Sequence, residues 1–150
     1  MKPYIPKELV GSIFETIVID ADSRQCECDG MAHYLAYRFK KDTQIPLRIN
    51  EGLLVVGGNQ TPHHVWSIFE SDGIEYLIDL RARMWIRNDE DIPHGIYHLS
   101  DVATLYNGKA TNNTWGNFPK ELIEILFPSL DAFKKEIEML RKAEKLLASK

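Results

Sequence analysis

The sequence predicts an α+β fold: a helix first, then an antiparallel sheet, then C-terminal helices. Apolar residues recur at helical spacing in "MAHYLAYRF" and again near the C-terminus. Between those segments lie short runs rich in β-branched and aromatic residues, "LRIN", "GLLVV", "HVWSIFES", "IEYLIDL" and "RMWI". Turn signals at Gly57-Gly58 and Asp72-Gly73 separate some of them. Strands that follow one another without an intervening helix form an antiparallel meander, not the alternating pattern of a parallel sheet.

Residues 1–12 read as a polar lead-in, with Pro3 and Pro6 limiting any helix. "IFETIVID", residues 13–20, fits a short strand or one helical turn. "ADSRQCECDG" is polar and turn-forming. A helix follows, carried by Met31, Tyr34, Leu35 and Phe39. Asp29 or Gly30 lies near its start, and Lys40 and Lys41 suit the negative end of its dipole. Pro46 places its end by "TQIP". Residues 47–87 then read as a meander of three or four strands, and residues 88–118 as loop. "KELIEILF" after Pro119 reads as a short helix stopped near Pro128. Ser129 can cap a last helix whose apolar stripe is Leu130, Phe133, Ile137, Leu140 and Leu147. The 150 residues make one domain, with a core segment from about 13 to 87 and a helical segment from about 119 to 150.

Composition narrows the partners. The chain is 44% hydrophobic and 27% charged, with net charge −4, which fits a soluble globular protein without a nucleic-acid-binding patch. No apolar run approaches the roughly 20 residues that span a bilayer, and the N-terminus shows no apolar signal segment. The two cysteines, Cys26 and Cys28, are too few for a disulfide scaffold, and a bridge within Cys-x-Cys would close a very small, strained ring. Both read as free thiols in a reducing, cytoplasmic compartment. Signal-independent export would leave no mark in the sequence.

Cys28 stands at the mouth of the first long helix. A thiol reacts as its thiolate, which the positive end of a helix and a nearby imidazole both favour. The imidazole candidates are His33, His63, His64, His94 and His98. His33 lies five residues beyond Cys28, about 140° around a helix axis, a poor position for a pair. His63 and His64 open "HHVWSIFE", and the next strand carries Asp79 among apolar residues. Folding these strands back at Asp72-Gly73 brings the His64 end near the Asp79 end. A buried carboxylate there needs a partner and can orient an imidazole. Cys28, His64 and Asp79 thus make a nucleophile, base and orienter. A one-residue slip of register would exchange His63 for His64. Oxyanion stabilisation would come from a backbone N–H at the nucleophile, with the Gln25 side chain or the Trp66 indole as second donor.

The same residues carry a resemblance. "CDGMAHYLAYRFKKDTQIPLRI" resembles the nucleophile segment of transglutaminase-like proteins. Cys28 opens the helix, Ala32-His33 follow, and Ile45-Pro46-Leu47-Arg48 come after it. "HVWSIFESDGIEYLIDLRARMW" resembles the family's His-Ala-Trp strand and Asp strand through His64, Trp66 and Asp79. The likeness covers roughly residues 25 to 85. Cys26 stands where the family usually has Gly, Leu80 where Pro commonly follows the Asp, and no EF-hand loop is present. The resemblance implies a papain-like fold, a nucleophile helix packed on an antiparallel sheet. It also implies acyl chemistry through a Cys thioester, as in transglutaminases, proteases, deamidases and amidases. That chemistry takes a protein or peptide substrate with a peptide bond or a glutamine-type carboxamide, and uses no cofactor or metal. It fits a housekeeping hydrolase and an effector equally.

Two other classes compete. Cys26, Cys28, His63 and His64 could form a Cys₂His₂ zinc set, although their spacing differs from that of zinc fingers. A degenerate triad would leave a non-catalytic interaction module, with the amphipathic last helix as its docking element.

Overall fold

The computed structural model describes residues 2–86, 91–111 and 120–149. Its architecture is α+β: a curled antiparallel sheet with helices at both ends of the chain. Helix α1 spans Ile13–Asp22 and α2 spans Cys28–Asp42. The sheet strands are β1 (Arg48–Val56), β2 (Asn59–Gln60), β3 (His64–Ser71), β4 (Ile74–Asp79), β5 (Gly95–His98) and β6 (Tyr106–Ala110). A short helix α3 (Leu99–Val102) links β5 to the turn before β6, and α4 (Lys120–Leu126) and α5 (Leu130–Ala148) follow. Among the described residues, no helix is long and apolar enough to cross a membrane.

The segment that fits either a strand or a helical turn is the full helix α1. It buries Phe14, Ile17, Val18 and Ala21, the i, i+3, i+4, i+7 set of one helical face, so tertiary packing overrides its β-branched composition. Helix α2 begins three residues earlier than its apolar stripe suggests. Glu27 is its extended N-cap, which makes Cys28 the first helical residue.

The meander forms as expected between residues 48 and 79, in the sheet order β2-β1-β3-β4-β5 with β6 also on β1. The β3–β4 hairpin closes with Ser71 opposite Ile74, and Asp72 and Gly73 between them have φ of 53° and 78°. Two left-handed residues in a row match the twist of the flanking strands. Side chains alternate across the sheet. Phe69, Tyr76 and Ile78 face α1 and α2, where Phe69 lies 4.8 Å from Phe14 and 5.0 Å from Phe39 between ring centroids. Trp66, Ile68 and Leu77 face the other way, with Val102 of α3 over them.

Two expectations are corrected. "RMWI" is no strand: after β4 the Asp79 carboxylate accepts the backbone N–H groups of Arg81 and Ala82, which turns the chain into a 3₁₀ segment at Ala82–Met84. The stretch read as loop contains β5, α3 and β6; of its residues, 88–90 and 112–118 lie outside the described ones. The four residues of β5 are too few to show a period. They are held between β4 and a backbone bridge to Tyr4, whose amide donates to His94 O at 2.8 Å and whose carbonyl accepts from Ile96 at 2.8 Å. Most of β6 is exposed, so it lacks the apolar alternation that marks a half-buried strand.

Ser129 caps α5, accepting from the Ala132 amide at 3.2 Å. Of the α5 stripe, Phe133 and Ile137 are half-buried, whereas Leu140 and Leu147 are exposed.

Strand β6 depends on Gly52. Its φ is 159°, and a Cβ there would lie 2.1 Å from Asn107 O and 2.5 Å from Gly108 Cα. Gly52→Ala is therefore expected to push β6 off β1 and to cost at least about 2 kcal/mol, read as a lowered midpoint in urea unfolding.

Candidate active site

Three elements converge at one end of α2. The Cys28 residue is 5% exposed, His64 is fully buried, and Asp79 is 2% exposed. His64 opens β3 and Asp79 closes β4. On the register of the hairpin, Asp79 falls opposite Trp66, so His64 is its diagonal neighbour on the same face. His64 Nε2 donates to Asp79 Oδ2 at 2.7 Å. That bond fixes the tautomer and leaves Nδ1 as the nitrogen for chemistry. Nδ1 is buried without a hydrogen-bond partner.

Burial by itself would lower the His64 pKa. The hydrogen bond and charge of Asp79, and then the Cys28 side chain, outweigh it and raise His64 to about 9. The imidazole is an imidazolium at neutral pH, held between a carboxylate and a thiol. In this resting arrangement the thiol donates elsewhere, to Asp29 Oδ1 at 3.3 Å. The N-terminus of α2 has no side-chain cap, so its first N–H groups remain available beside the sulfur.

Asp79 is fully engaged. Oδ2 also accepts from the Tyr106 hydroxyl at 2.8 Å, and Oδ1 accepts the amides of Arg81 and Ala82 at 3.2 and 3.1 Å. Burial, with the Asp79 charge second, pushes Tyr106 well above the ordinary phenol range, so it stays a donor. Its ring lies 4.8 Å from that of Trp66, which in turn lies 6.0 Å from the His64 ring. Tyr106 carries no signal in the sequence: it opens a strand that composition hides, and only the pairing of β6 with β1 delivers it to Asp79.

Arg81 does not pair with Asp79 through its side chain. It clamps the loop that leads into Cys28: Nε donates to Cys26 O at 2.8 Å, and Nη2 donates to Arg24 O at 2.9 Å and to Asp22 O at 3.2 Å. Nη1 takes Asp22 Oδ1 and Leu80 O, both at 2.8 Å. All five donors are spent on holding that loop against the end of β4. Arg81→Met is expected to leave these acceptors unpartnered and to destabilise the fold by about 3–5 kcal/mol, measured by thermal unfolding.

The remaining candidates separate. His63 is exposed and bonded to Glu51 at 3.2 Å, so the register brings His64 inward and His63 outward. Trp66 lines a narrow slot of about 10 Å³ with Cys28, Asp79, Leu80 and Arg81. Gln25 is exposed and lines a neighbouring pocket, not that slot. Cys26 lines the same neighbouring pocket, and burial pushes its thiol up despite Arg81, which keeps it protonated. His94 and His98 are both expected on a loop, but only His94 lies outside a strand, just before β5, whereas His98 closes β5: His94 Nε2 lies 3.4 Å from Asp22 Oδ2, and His98 bonds Glu8. Among the described residues, no three His, Cys, Asp or Glu side chains come together as a metal site, and the Cys₂His₂ set is dispersed.

The fold and site therefore define an α+β protein with a thiol, an imidazolium and a carboxylate in line at a helix N-terminus. No family model matches the chain, and neither a curated protein nor a solved structure matches it.

Proposed function

We propose that this chain is a cysteine hydrolase or acyltransferase of transglutaminase-like type, on a papain-like arrangement of nucleophile helix and sheet. One observation supports this most: the buried His64–Asp79 bond, which leaves Nδ1 unpartnered beside Cys28. After Asp79, the Cys28 side chain is the group that holds the His64 proton, which sets this pair against the thiol.

The reaction follows from the residues. The Cys28 thiol first releases its proton to solvent, since His64 already carries one; the resulting thiolate attacks the carbonyl carbon of an amide, and the α2 N–H groups bind the developing oxyanion. His64 gives its Nδ1 proton to the leaving nitrogen, the C–N bond breaks, and a thioester remains. Neutral His64 then takes a proton from water as the oxygen attacks; the C–S bond breaks, the acid leaves, and thiolate and imidazolium are restored. An amine in place of water gives transamidation. Asp79 keeps the imidazole oriented throughout.

The test is an amidated glutamine-containing peptide incubated with the protein, read by ammonia release and peptide mass. Deamidation, backbone cleavage or amine incorporation by wild type, lost in Cys28→Ala, is the expected result. Turnover unchanged in Cys28→Ala would sink the reading. The second reading, an interaction module, draws on α5, where Met139, Leu140, Leu146 and Leu147 are 71%, 59%, 67% and 73% exposed.

A further inference from the structure

The Asp79 carboxylate takes one more donor than the orienting of His64 requires. Oδ1 is held by the Arg81 and Ala82 amides. Oδ2 accepts both His64 Nε2 at 2.7 Å and the Tyr106 hydroxyl at 2.8 Å. Two side chains from different strands therefore compete for one oxygen. An oxygen shared by two donors gives each of them less charge than it would give one alone. The four bonds also pin both ends of the carboxylate, so its plane cannot turn without breaking two of them.

Tyr106 is delivered to that oxygen by the way β6 lies on β1. Leu54 stands opposite Tyr106, and Gly52 opposite Gly108. A Cβ on Gly108 would lie 2.3 Å from Glu51 O and 2.5 Å from Trp66 Cη2, so β6 sits directly against the Trp66 ring. Two residues earlier on the same face, the half-buried Tyr106 ring meets the Trp66 ring at 4.8 Å. The ring is held by this packing, and the hydroxyl is left to reach Asp79.

The charges around the pair come from every element packed on it. Helix α2 supplies Cys28, with Asp29 behind the thiol at 3.3 Å. Strand β5 supplies Tyr97, whose hydroxyl accepts from the His94 amide at 2.9 Å and whose phenol is pushed up by burial. Arg81 follows β4, but its guanidinium is turned to the loop ahead of Cys28. His63 precedes β3 and faces outward onto Glu51. Tyr106 itself keeps its proton well above the ordinary phenol range, so it is still a neutral donor where His64 titrates.

We propose that Tyr106 is a positioning residue of the thiol site: by sharing Asp79 Oδ2 it divides the carboxylate's charge between two donors and fixes the carboxylate plane against the His64 ring. Its part in turnover rests on the thiol-enzyme reading; its hold on His64 does not. Without the phenol, Oδ2 serves His64 alone. The imidazolium then keeps its proton more tightly and gives it less readily to the leaving nitrogen.

The test is a titration of the His64 imidazole by ¹⁵N NMR in the full-length protein. Wild type is compared with Tyr106→Phe and with a chain carrying 3-fluorotyrosine in place of Tyr106. Phenylalanine keeps the ring on Trp66 and removes the donor; fluorine keeps the hydroxyl and makes it a stronger donor. From about 9 in wild type, the midpoint is expected to rise by about half a pH unit or more in Tyr106→Phe. It should fall in the fluorotyrosine chain. The alkaline limb of turnover on the amidated glutamine peptide should follow in each case. A residue that only packs would lower the unfolding temperature and leave the midpoint in place. A midpoint unmoved in both chains, or moved the same way in both, overturns the proposal. If Tyr106→Phe does not fold, the fluorotyrosine chain decides by itself: a fall supports the proposal, and no fall overturns it. Opposite shifts in a protein that turns over no amide would leave the hold on His64 standing and count against the thiol chemistry alone.

Discussion

Asp79→Asn is expected to lower turnover by about 10⁴-fold and to destabilise the fold by about 3–5 kcal/mol. The size follows from the bonds. Asp79 accepts from His64, Tyr106, Arg81 and Ala82, and is 2% exposed. A carboxamide has one acceptor oxygen. Placed toward the Arg81 and Ala82 amides, it turns its NH₂ on the Tyr106 hydroxyl and on His64 Nε2. The ring must then present a lone pair to that NH₂ and carry its proton on Nδ1, the wrong tautomer for a base facing Cys28. Turning the amide over sets two donors against the Arg81 and Ala82 amides instead. Steady-state turnover and urea unfolding on the same preparation read both effects.

The second large effect is on pH. His64 sits at about 9 in the folded protein, against an ordinary value of 6.5. A raised value in the folded state means that proton binding favours folding. The stabilisation is complete below about pH 6.5 and is lost as pH rises through about 9. Stability is therefore expected to fall across that window, and His64→Gln should abolish this part of the dependence. Turnover shares the upper limit, because His64 must carry a proton to protonate the leaving amine. Its alkaline limb should have a midpoint near 9.

Much of this was legible in the residues, for identifiable reasons. The Asp72-Gly73 turn fixes the β3–β4 register, and that register alone brings the His64 and Asp79 ends together. Asp79 stands out because a carboxylate in an apolar run demands a partner. The choice between His63 and His64 was not legible, since a one-residue slip exchanges the two faces. Tyr106 and Arg81 were hidden for different reasons. Tyr106 reaches Asp79 only through the long-range pairing of β6 with β1, and "YNGKA" has no period to announce a strand. The Arg81 side chain binds backbone carbonyls of the loop ahead of Cys28, which carry no sequence identity. The α1 segment reads as either a strand or a helical turn for a third reason: its β-branched residues suit a strand, and only burial on one face makes it a helix.

The central claim is that Cys28, facing His64, is the nucleophile and that Cys26 is its spectator. Site-resolved alkylation by iodoacetamide at about pH 6.5, where an ordinary thiol is protonated, tests it most directly. Peptide mass mapping gives both cysteines in one experiment. Cys28 is expected to label at least about tenfold faster than Cys26, and His64→Ala should erase the difference. Equal rates at the two cysteines, or a fast Cys28 that is indifferent to His64, would contradict it.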